Sequence, residues 1–306
     1  MDAIGGSDCY EKPPDKEQRQ FAKRLVCEAQ ISLGERAYQR LSPEEKEIVD
    51  LWVWSGCAMH KDLNAMKGGA GEMARQWAEF GDGTTLVSMM SKFKAAAVEA
   101  DSALEETIVG PGDRGGEKLT ELVGSLVKHR ETKKGHQERF YAFSVQFLGT
   151  PRPVQFPDTS NNRYQSHSFT ASEILRHLDL YRAFLRSVAD LKALGNKLNH
   201  LEQNVQAGLD DPATLSELCV LSLYSQTISI PFVQHIHTPS DASLNGLDLG
   251  LDYDRIKHHM EAVIKNPNIL LGQGSSHEIG TLYGEKWEDE EVINFIWANL
   301  NSFPHL

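Results

Sequence analysis

The 306-residue chain contains 40% hydrophobic and 24% charged residues, a composition typical of a folded globular protein. It has no apolar run of about eighteen residues or more, so the sequence predicts no membrane-spanning helix and no membrane partner. The net charge of −12 argues against a broad nucleic-acid-binding face, because proteins that contact many phosphates are usually basic.

The chain begins with a polar stretch, MDAIGGSDCYEKPPDKEQRQ, which lacks the basic region and the apolar run of a secretory signal. Its four cysteines, Cys9, Cys27, Cys57 and Cys219, lie far apart, a distribution that favours free thiols over a disulfide framework. The sequence therefore predicts an intracellular protein, in the nucleus or the cytoplasm.

The first predicted region is a disordered tail over 1–16, followed by an N-terminal helical lobe over 17–108. Ser42 and Pro43 form the clearest helix start, because Glu45 follows the cap by three residues and completes a capping box. The glycines at 68, 69 and 71 are predicted to end a helix, since no Lys-Ser or Lys-Thr pair follows them as a phosphate loop requires. Other helices predicted in this lobe cover 17–40, 73–80 and 86–106.

A linker region over 109–162 is predicted to separate this lobe from the rest of the chain. The stretch VGPGDRGG at 109–116 predicts a loop or hinge, and three prolines within 149–163 predict a second break. A polar helix is expected between the two breaks, over 118–147.

Two patterns define helices in the C-terminal helical lobe, which is predicted over 163–306. Apolar residues from Ile174 to Val188 recur at intervals of four and three, which predicts one long helix. Asp211 and Pro212 repeat the cap-and-proline start, and the apolar helix after them is predicted to be buried. The chain is therefore predicted to be mainly α, with two helical lobes.

Cys57 and His60, in the stretch SGCAMHKD, are the first candidate site residues. They could supply two ligands to zinc, act as a nucleophile with its base, or form a structural corner. A structural zinc site needs four ligands, and no second Cys or His pair at metal-binding spacing occurs in the sequence. We favour the structural role, with Cys57 buried and His60 within reach of its side chain.

Two carboxylates are the next candidates. Glu217 shares a helical face with Leu221 and Tyr224, so its burial would require a cation, a metal or a raised pKa. Alternatively, Glu217 reaches solvent near the start of its helix, and both interpretations stay open. Asp50 also borders an apolar run, and it equally fits the polar edge of its helix.

A basic stretch over 128–139 is a local exception to the acidic balance. Its candidate nucleic-acid-binding residues are Lys128, Arg130, Lys133, Lys134 and Arg139. A solvated helix face or loop explains the same charges, and we favour that interpretation.

Several short blocks resemble known sequences. The string WSGCAMHKDLNAMKGG, which contains Cys57 and His60, resembles the Cys-x-x-His segment of hAT-type and related eukaryotic transposases. The string NRYQSH at 162–167 is similar to an Arg-Trp-Asn-Ser block of the same superfamily. From about residue 29 onward, the chain also resembles a group of proteins abundant in mushroom-forming fungi, with LDLGLDYDRIKHHM at 247–260 as a shared block.

The resemblance implies a degenerate remnant of a ribonuclease-H-like fold with a helical insertion. Cys57 and His60 match the Cys-x-x-His pair, and Glu217 is the counterpart of the last catalytic acid. Asp50 lies close to Cys57 on a predicted helix and matches the second catalytic aspartate poorly, and the first aspartate has no counterpart. Because two-metal phosphoryl transfer needs several carboxylates, the resemblance implies a catalytically inactive derivative.

Arg163 matches the arginine of the second block and follows the proline-rich break. A guanidinium at this position can donate two hydrogen bonds to one carboxylate. We predict that Arg163 is a structural pin between the break and the first lobe rather than a phosphate contact.

Three functions remain open from the sequence. The first is a transposase-derived, inactive protein with a nucleic-acid-binding or scaffold role, whose partner is DNA or protein and which needs no cofactor. The second is a metal-dependent enzyme that uses Cys57, His60 and Glu217 with zinc or another divalent metal. The third is a helical protein-interaction module.

Overall fold

The computed structural model describes residues 15–50, 57–129, 135–159, 165–192, 197–237 and 248–306. These residues are mainly helical, as predicted, and one isolated antiparallel bridge joins Ser88 to Arg114. Within the same ranges, no helix combines the length and the apolar character that a membrane crossing requires. The chain divides into two compact units, Met1–Ser55 and Gly56–Leu306.

The first unit contains α1 (Asp15–Tyr38) and α2 (Pro43–Asp50). The predicted capping box at the start of α2 is confirmed, because Ser42 Oγ accepts from the Glu45 N–H at 3.2 Å and Glu45 Oε2 accepts from the Ser42 N–H at 2.8 Å. The hydroxyl of Tyr38 donates to Asp50 Oδ2 at 2.6 Å and joins the ends of the two helices.

The second unit contains fourteen further helices among the described residues. They are α3 (Ala58–Phe80), α4 (Lys92–Ala100), α5 (Glu105–Ile108), α6 (Gly115–Lys128), α7 (Gln137–Leu148), α8 (Ser166–Arg176), α9 (Leu178–Lys192), α10 (His200–Asp210), α11 (Pro212–Tyr224), α12 (Ile230–His237), α13 (Gly250–Lys265), α14 (Asn268–Leu271), α15 (His277–Gly280) and α16 (Glu290–Ala298). A π-helical turn, Ser225–Ser229, connects α11 to α12.

Helix α11 lies at the centre of the second unit and packs against α6, α8 and α10. Asp211 caps it by accepting from the Thr214 N–H at 3.0 Å, and Pro212 occupies its first turn, as predicted. Leu218 and Cys219 are fully buried, which confirms the prediction that this helix is in the core. Burial on nearly every side explains why its sequence lacks a polar face.

Helix α3 corrects the prediction that the glycines at 68, 69 and 71 end a helix. It continues through all three and ends at Gly81, whose φ of 66° gives the left-handed cap. A glycine inside a helix costs only about 1 kcal/mol relative to alanine. The three glycines together cost about 3 kcal/mol, which is offset by the buried side chains of Leu63 and Met66 and by Met73 packed on the core.

The segment 86–106 also differs from the single helix predicted there. Helix α4 begins only after Ser91, whose hydroxyl accepts from the Lys94 N–H at 3.4 Å. The residues before it are non-helical, and the Met89 N–H donates to the Asp113 carbonyl at 2.7 Å. Met89 is fully buried, so a tertiary contact overrides the local helical preference.

The predicted linker over 109–162 and the predicted lobe boundaries differ from the observed units. Helix α6, inside that linker, packs against α8, α10 and α11 in the core. Its buried residues Leu119, Val123, Leu126 and Val127 form one helical stripe among charged residues and glycines, and this mixture obscured the pattern. The long helix predicted over 174–188 is divided into α8 and α9 at His177.

Replacing Gly71 with alanine tests the continuous α3 helix. A Cβ at Gly71 would have no heavy atom within 4 Å, so Gly71→Ala should raise the free energy of unfolding by about 0.5–1 kcal/mol, measured by urea denaturation. The matched control is Gly116→Ala, whose Cβ would lie 3.1 Å from Glu217 Cβ and 3.2 Å from the Leu218 backbone nitrogen and should destabilise. A destabilising Gly71→Ala change would mean that α3 is interrupted at this position.

Candidate functional site

Glu217 on α11 is the sequence-predicted acid that the structure places in the core of the second unit. Glu217 is 5% exposed. The Trp77 indole N–H donates to Oε1 at 2.8 Å, and the Gly116 backbone N–H donates to Oε2 at 2.7 Å. Each carboxylate oxygen therefore has a protein donor, and the side chain joins α3, α6 and α11.

Two glycines allow the carboxylate to approach the start of α6. Gly115 has a φ of +82°, and a Cβ there would lie 2.2 Å from Glu217 Oε2. A Cβ on Gly116 would lie 3.1 Å from Glu217 Cβ. The first turn of a helix carries unsatisfied N–H groups and a partial positive charge, so it is a favourable position for a carboxylate.

The pKa of Glu217 is raised above its ordinary value. Burial is the largest cause, because removing water destabilises the charged form. The hydrogen bonds from Gly116 and Trp77 oppose this shift, whereas the nearby charges of Asp211 and Glu117 add to it.

A buried histidine lies near this carboxylate on the same cleft. His167 is fully buried, and its Nδ1 lies 2.6 Å from Thr120 Oγ1. The Thr120 hydroxyl donates to the Glu117 carbonyl at 2.7 Å, so we assign the proton between ring and hydroxyl to Nδ1. Burial lowers the pKa of His167, against the opposing charges of Glu117 and Glu121, and thus favours the neutral ring.

These two groups line a cleft of about 330 Å³ between α3 and α6. Helix α3 presents small side chains and one cation to it, at Lys67, Ala70, Gly71 and Ala74. Helix α6 presents charges of both signs at Glu117, Lys118 and Glu121, and the Lys118 ammonium lies 3.0 Å from Glu121. His167 Nε2 lies 3.8 Å from Glu117 Oε1. A neutral imidazole and a buried carboxyl group therefore line the cleft.

Cys57 and His60 lie at the start of α3. Both are exposed, so the prediction of a buried Cys57 is wrong. Cys57 is exposed because α3 begins at Ala58, so that Cys57 is the N-cap residue outside the helix. The pKa of the thiol is lowered, first by the His60 backbone N–H, then by the His60 side chain and the Met59 N–H.

The structure does not bring Cys57 and His60 to Glu217. Trp77, which contacts Glu217, lies 20 residues beyond Cys57 on the same helix, a separation of roughly 30 Å. Within the described residues, no group of three or more His, Cys, Asp or Glu side chains is arranged to hold a metal ion. The metal-dependent alternative that combines these three residues therefore has no geometric support.

The remaining predicted site residues are placed as follows. Asp50 ends α2 in the first unit, where it is exposed and bonded to Tyr38. Lys128 donates to the Pro157 carbonyl at 3.3 Å and lies 3.9 Å from Asp158, whereas Arg139 is exposed. The predicted residues that lie outside the described ranges are Arg130, Lys133, Lys134 and Arg163.

The sequence identified Glu217 but missed its partners. Trp77 and Gly116 lie 140 and 101 residues away in the chain. The glycine pair that begins α6 is a signal of close backbone approach, but the sequence does not show which group approaches. His167 ends the block NRYQSH, but that resemblance assigns it no role.

Comparisons of the chain with known proteins found no matching family model, no matching curated protein and no matching solved structure. The transposase resemblance thus stays a prediction, and the cleft geometry carries the functional argument.

The pH dependence of stability tests the burial of Glu217. Because its folded pKa lies above the unfolded value of about 4.5, its protonated form favours the folded state. This contribution is fully present below the unfolded pKa and is lost as the pH rises through the raised folded pKa. The free energy of unfolding of the wild type should therefore fall relative to Glu217→Gln over that window, measured by urea denaturation at a series of pH values.

Glu138→Gln is the control, since Glu138 is exposed. Parallel pH curves for the wild type and Glu217→Gln would contradict the burial of this carboxyl group.

Proposed function

We propose that this chain is a transposase-derived binding scaffold in which Glu217 stabilises the helical framework instead of catalysing phosphoryl transfer. The observation that supports the proposal is the pair of hydrogen bonds from Trp77 and Gly116 to the two carboxylate oxygens. The proposed transposase origin is supported by the sequence blocks around Cys57 and Arg163.

The environment of Glu217 is unsuited to a catalytic metal. A carboxylate that binds Mg²⁺ or Mn²⁺ must be ionised and must direct lone pairs at the metal. Burial raises the pKa of Glu217, and protein N–H groups already use both of its oxygens. The same features suit a structural tie between three helices.

DNA binding through the basic stretch is a second candidate role. Arg139 is exposed on α7 and can contact a phosphate. Lys128 is a weaker candidate, because its ammonium already donates to the Pro157 carbonyl. The net charge of −12 opposes a large phosphate-binding surface, so we place the scaffold role first.

A double-mutant cycle tests the structural role of Glu217. Trp77→Phe removes the indole donor, and Glu217→Ala removes its acceptor. Each should lower the free energy of unfolding, and their coupling energy should be about 1 kcal/mol in favour of the pair, measured by urea denaturation. In a parallel experiment, Mn²⁺ is titrated into the wild type and into Glu217→Ala and its binding is measured by calorimetry.

Two results would overturn the scaffold proposal. One is a coupling energy near zero between positions 77 and 217. The other is Mn²⁺ binding by the wild type that Glu217→Ala abolishes while the fold is retained.

The DNA role has its own test. If Arg139 contacts a phosphate, Arg139→Gln should weaken duplex binding and reduce the slope of log affinity against log salt by about 1, measured by fluorescence anisotropy. Arg152→Gln is the matched control, because Arg152 is also exposed. Equal effects of the two changes would exclude a specific contact at Arg139.

A further inference from the structure

A second cavity in the 56–306 unit has a different chemistry from the cleft at Glu217. It has a volume of about 660 Å³ and lies among the 155–157 segment, α8, the π-helical turn and the start of α16. We call it the acidic groove. Its lining residues are Gln155, Pro157, Phe169, Ser172, Glu173, Arg176, Gln226, Glu288, Asp289, Glu290 and Glu291.

Gln226 contributes a buried amide to the acidic groove. The residue is 2% exposed and lies in the π-helical turn, a geometry that often marks functional positions. Its Oε1 accepts from the Asp289 backbone N–H at 2.9 Å, which fixes the orientation of the amide. Within the described part of the chain, no acceptor pairs with its Nε2, and the residue lines the groove.

The charge of the groove is predominantly negative. Five carboxylates line it, and Arg176 is the cation among its lining residues. The Arg176 guanidinium lies 2.6 Å from Glu173, 3.3 Å from Asp289 and 4.0 Å from Glu291. Glu288 and Glu290 are exposed, and neither forms an ion pair with a described residue, although Glu288 Oε2 accepts from the Gln234 side-chain amide at 3.0 Å.

Helix capping explains part of this acidity but not all of it. Asp289 accepts from the Val292 N–H at 3.1 Å, and the first turn of α16 favours Glu290 and Glu291. Glu288 precedes the cap, and the Gln226 donor has no role in α16. The Glu288 carboxylate and the Gln226 amide donor are therefore the groups that we expect a ligand to contact.

One wall of the groove is apolar. Phe169 is 38% exposed and lines the cavity together with Pro157. An aromatic ring beside carboxylates suits the aliphatic part of a lysine or arginine, and its face attracts their cationic groups.

From these features we propose that the acidic groove binds a basic linear peptide segment of a partner protein. A peptide carbonyl accepts from Gln226 Nε2, and lysine or arginine side chains pair with Glu288, Glu290 and Glu291. Phe169 contacts one of the basic side chains. The net charge of −12 adds long-range attraction for such a segment. This proposal does not depend on the transposase descent.

The test uses a fluorescein-labelled dodecapeptide of glycine, lysine and arginine, with binding followed by anisotropy. The triple variant Glu288→Gln, Glu290→Gln, Glu291→Gln should weaken binding by about tenfold or more. The control triple variant is Glu99→Gln, Glu138→Gln, Glu261→Gln, which changes the net charge equally at exposed positions away from the groove. It should weaken binding by less than about twofold.

Gln226→Glu separates a specific site from general electrostatic attraction. It keeps the acceptor for the Asp289 N–H, removes the amide donor and adds negative charge. Our proposal expects weaker peptide binding, whereas nonspecific attraction to a negative surface would give stronger binding. Phe169→Ala is the second variant, since Phe169 is partly exposed, and it should also weaken binding. Thermal unfolding checks that every variant is folded.

Three outcomes would overturn the proposal. The first is an equal loss of affinity in the two triple variants, and the second is tighter binding by Gln226→Glu. The third is complete displacement of the peptide by spermidine at equal charge concentration, which would assign the groove to polyamines.

Discussion

The carboxylate of Glu217 ties together three helices of the 56–306 unit. It connects Trp77 on α3 to the first turn of α6, while Gly115 and Gly116 leave room for its oxygens. Burial raises the pKa of this group, so the contact that stabilises the helical arrangement also weakens its capacity as a metal ligand. The hydrogen bonds of Glu217 and its raised pKa therefore both favour a structural role over metal binding.

Helix starts determine the character of the Glu217 cleft and of the acidic groove. The cleft of about 330 Å³ lies at the start of α6, where charges of both signs surround a neutral His167 and a buried Glu217. The acidic groove lies at the start of α16, where carboxylates outnumber the single lining cation, Arg176. Helix starts attract acidic residues, and the surrounding elements decide whether these residues face another helix or solvent.

Particular elements show how far the sequence predicts this structure. The capping box at Ser42 and the start at Asp211 were correct because caps depend on residues three positions apart. The sequence predicts only a polar linker helix where α6 lies, because glycines and charges interrupt its apolar stripe. Of the candidate site, Glu217 was identified from its position on an apolar face, whereas its partners lie more than 100 residues away in the chain.

Local sequence is enough to predict the mainly helical class, the starts of α2 and α11 and the apolar character of α11, since these depend on near neighbours in the chain. The burial of Glu217 between two N–H donors and the exposure of Cys57 follow from the packing of the folded chain. The same holds for the buried amide of Gln226, which lines an acidic groove. The physical reason is that burial and hydrogen-bond partners depend on packing between helices that are distant in sequence, which local spacing does not encode.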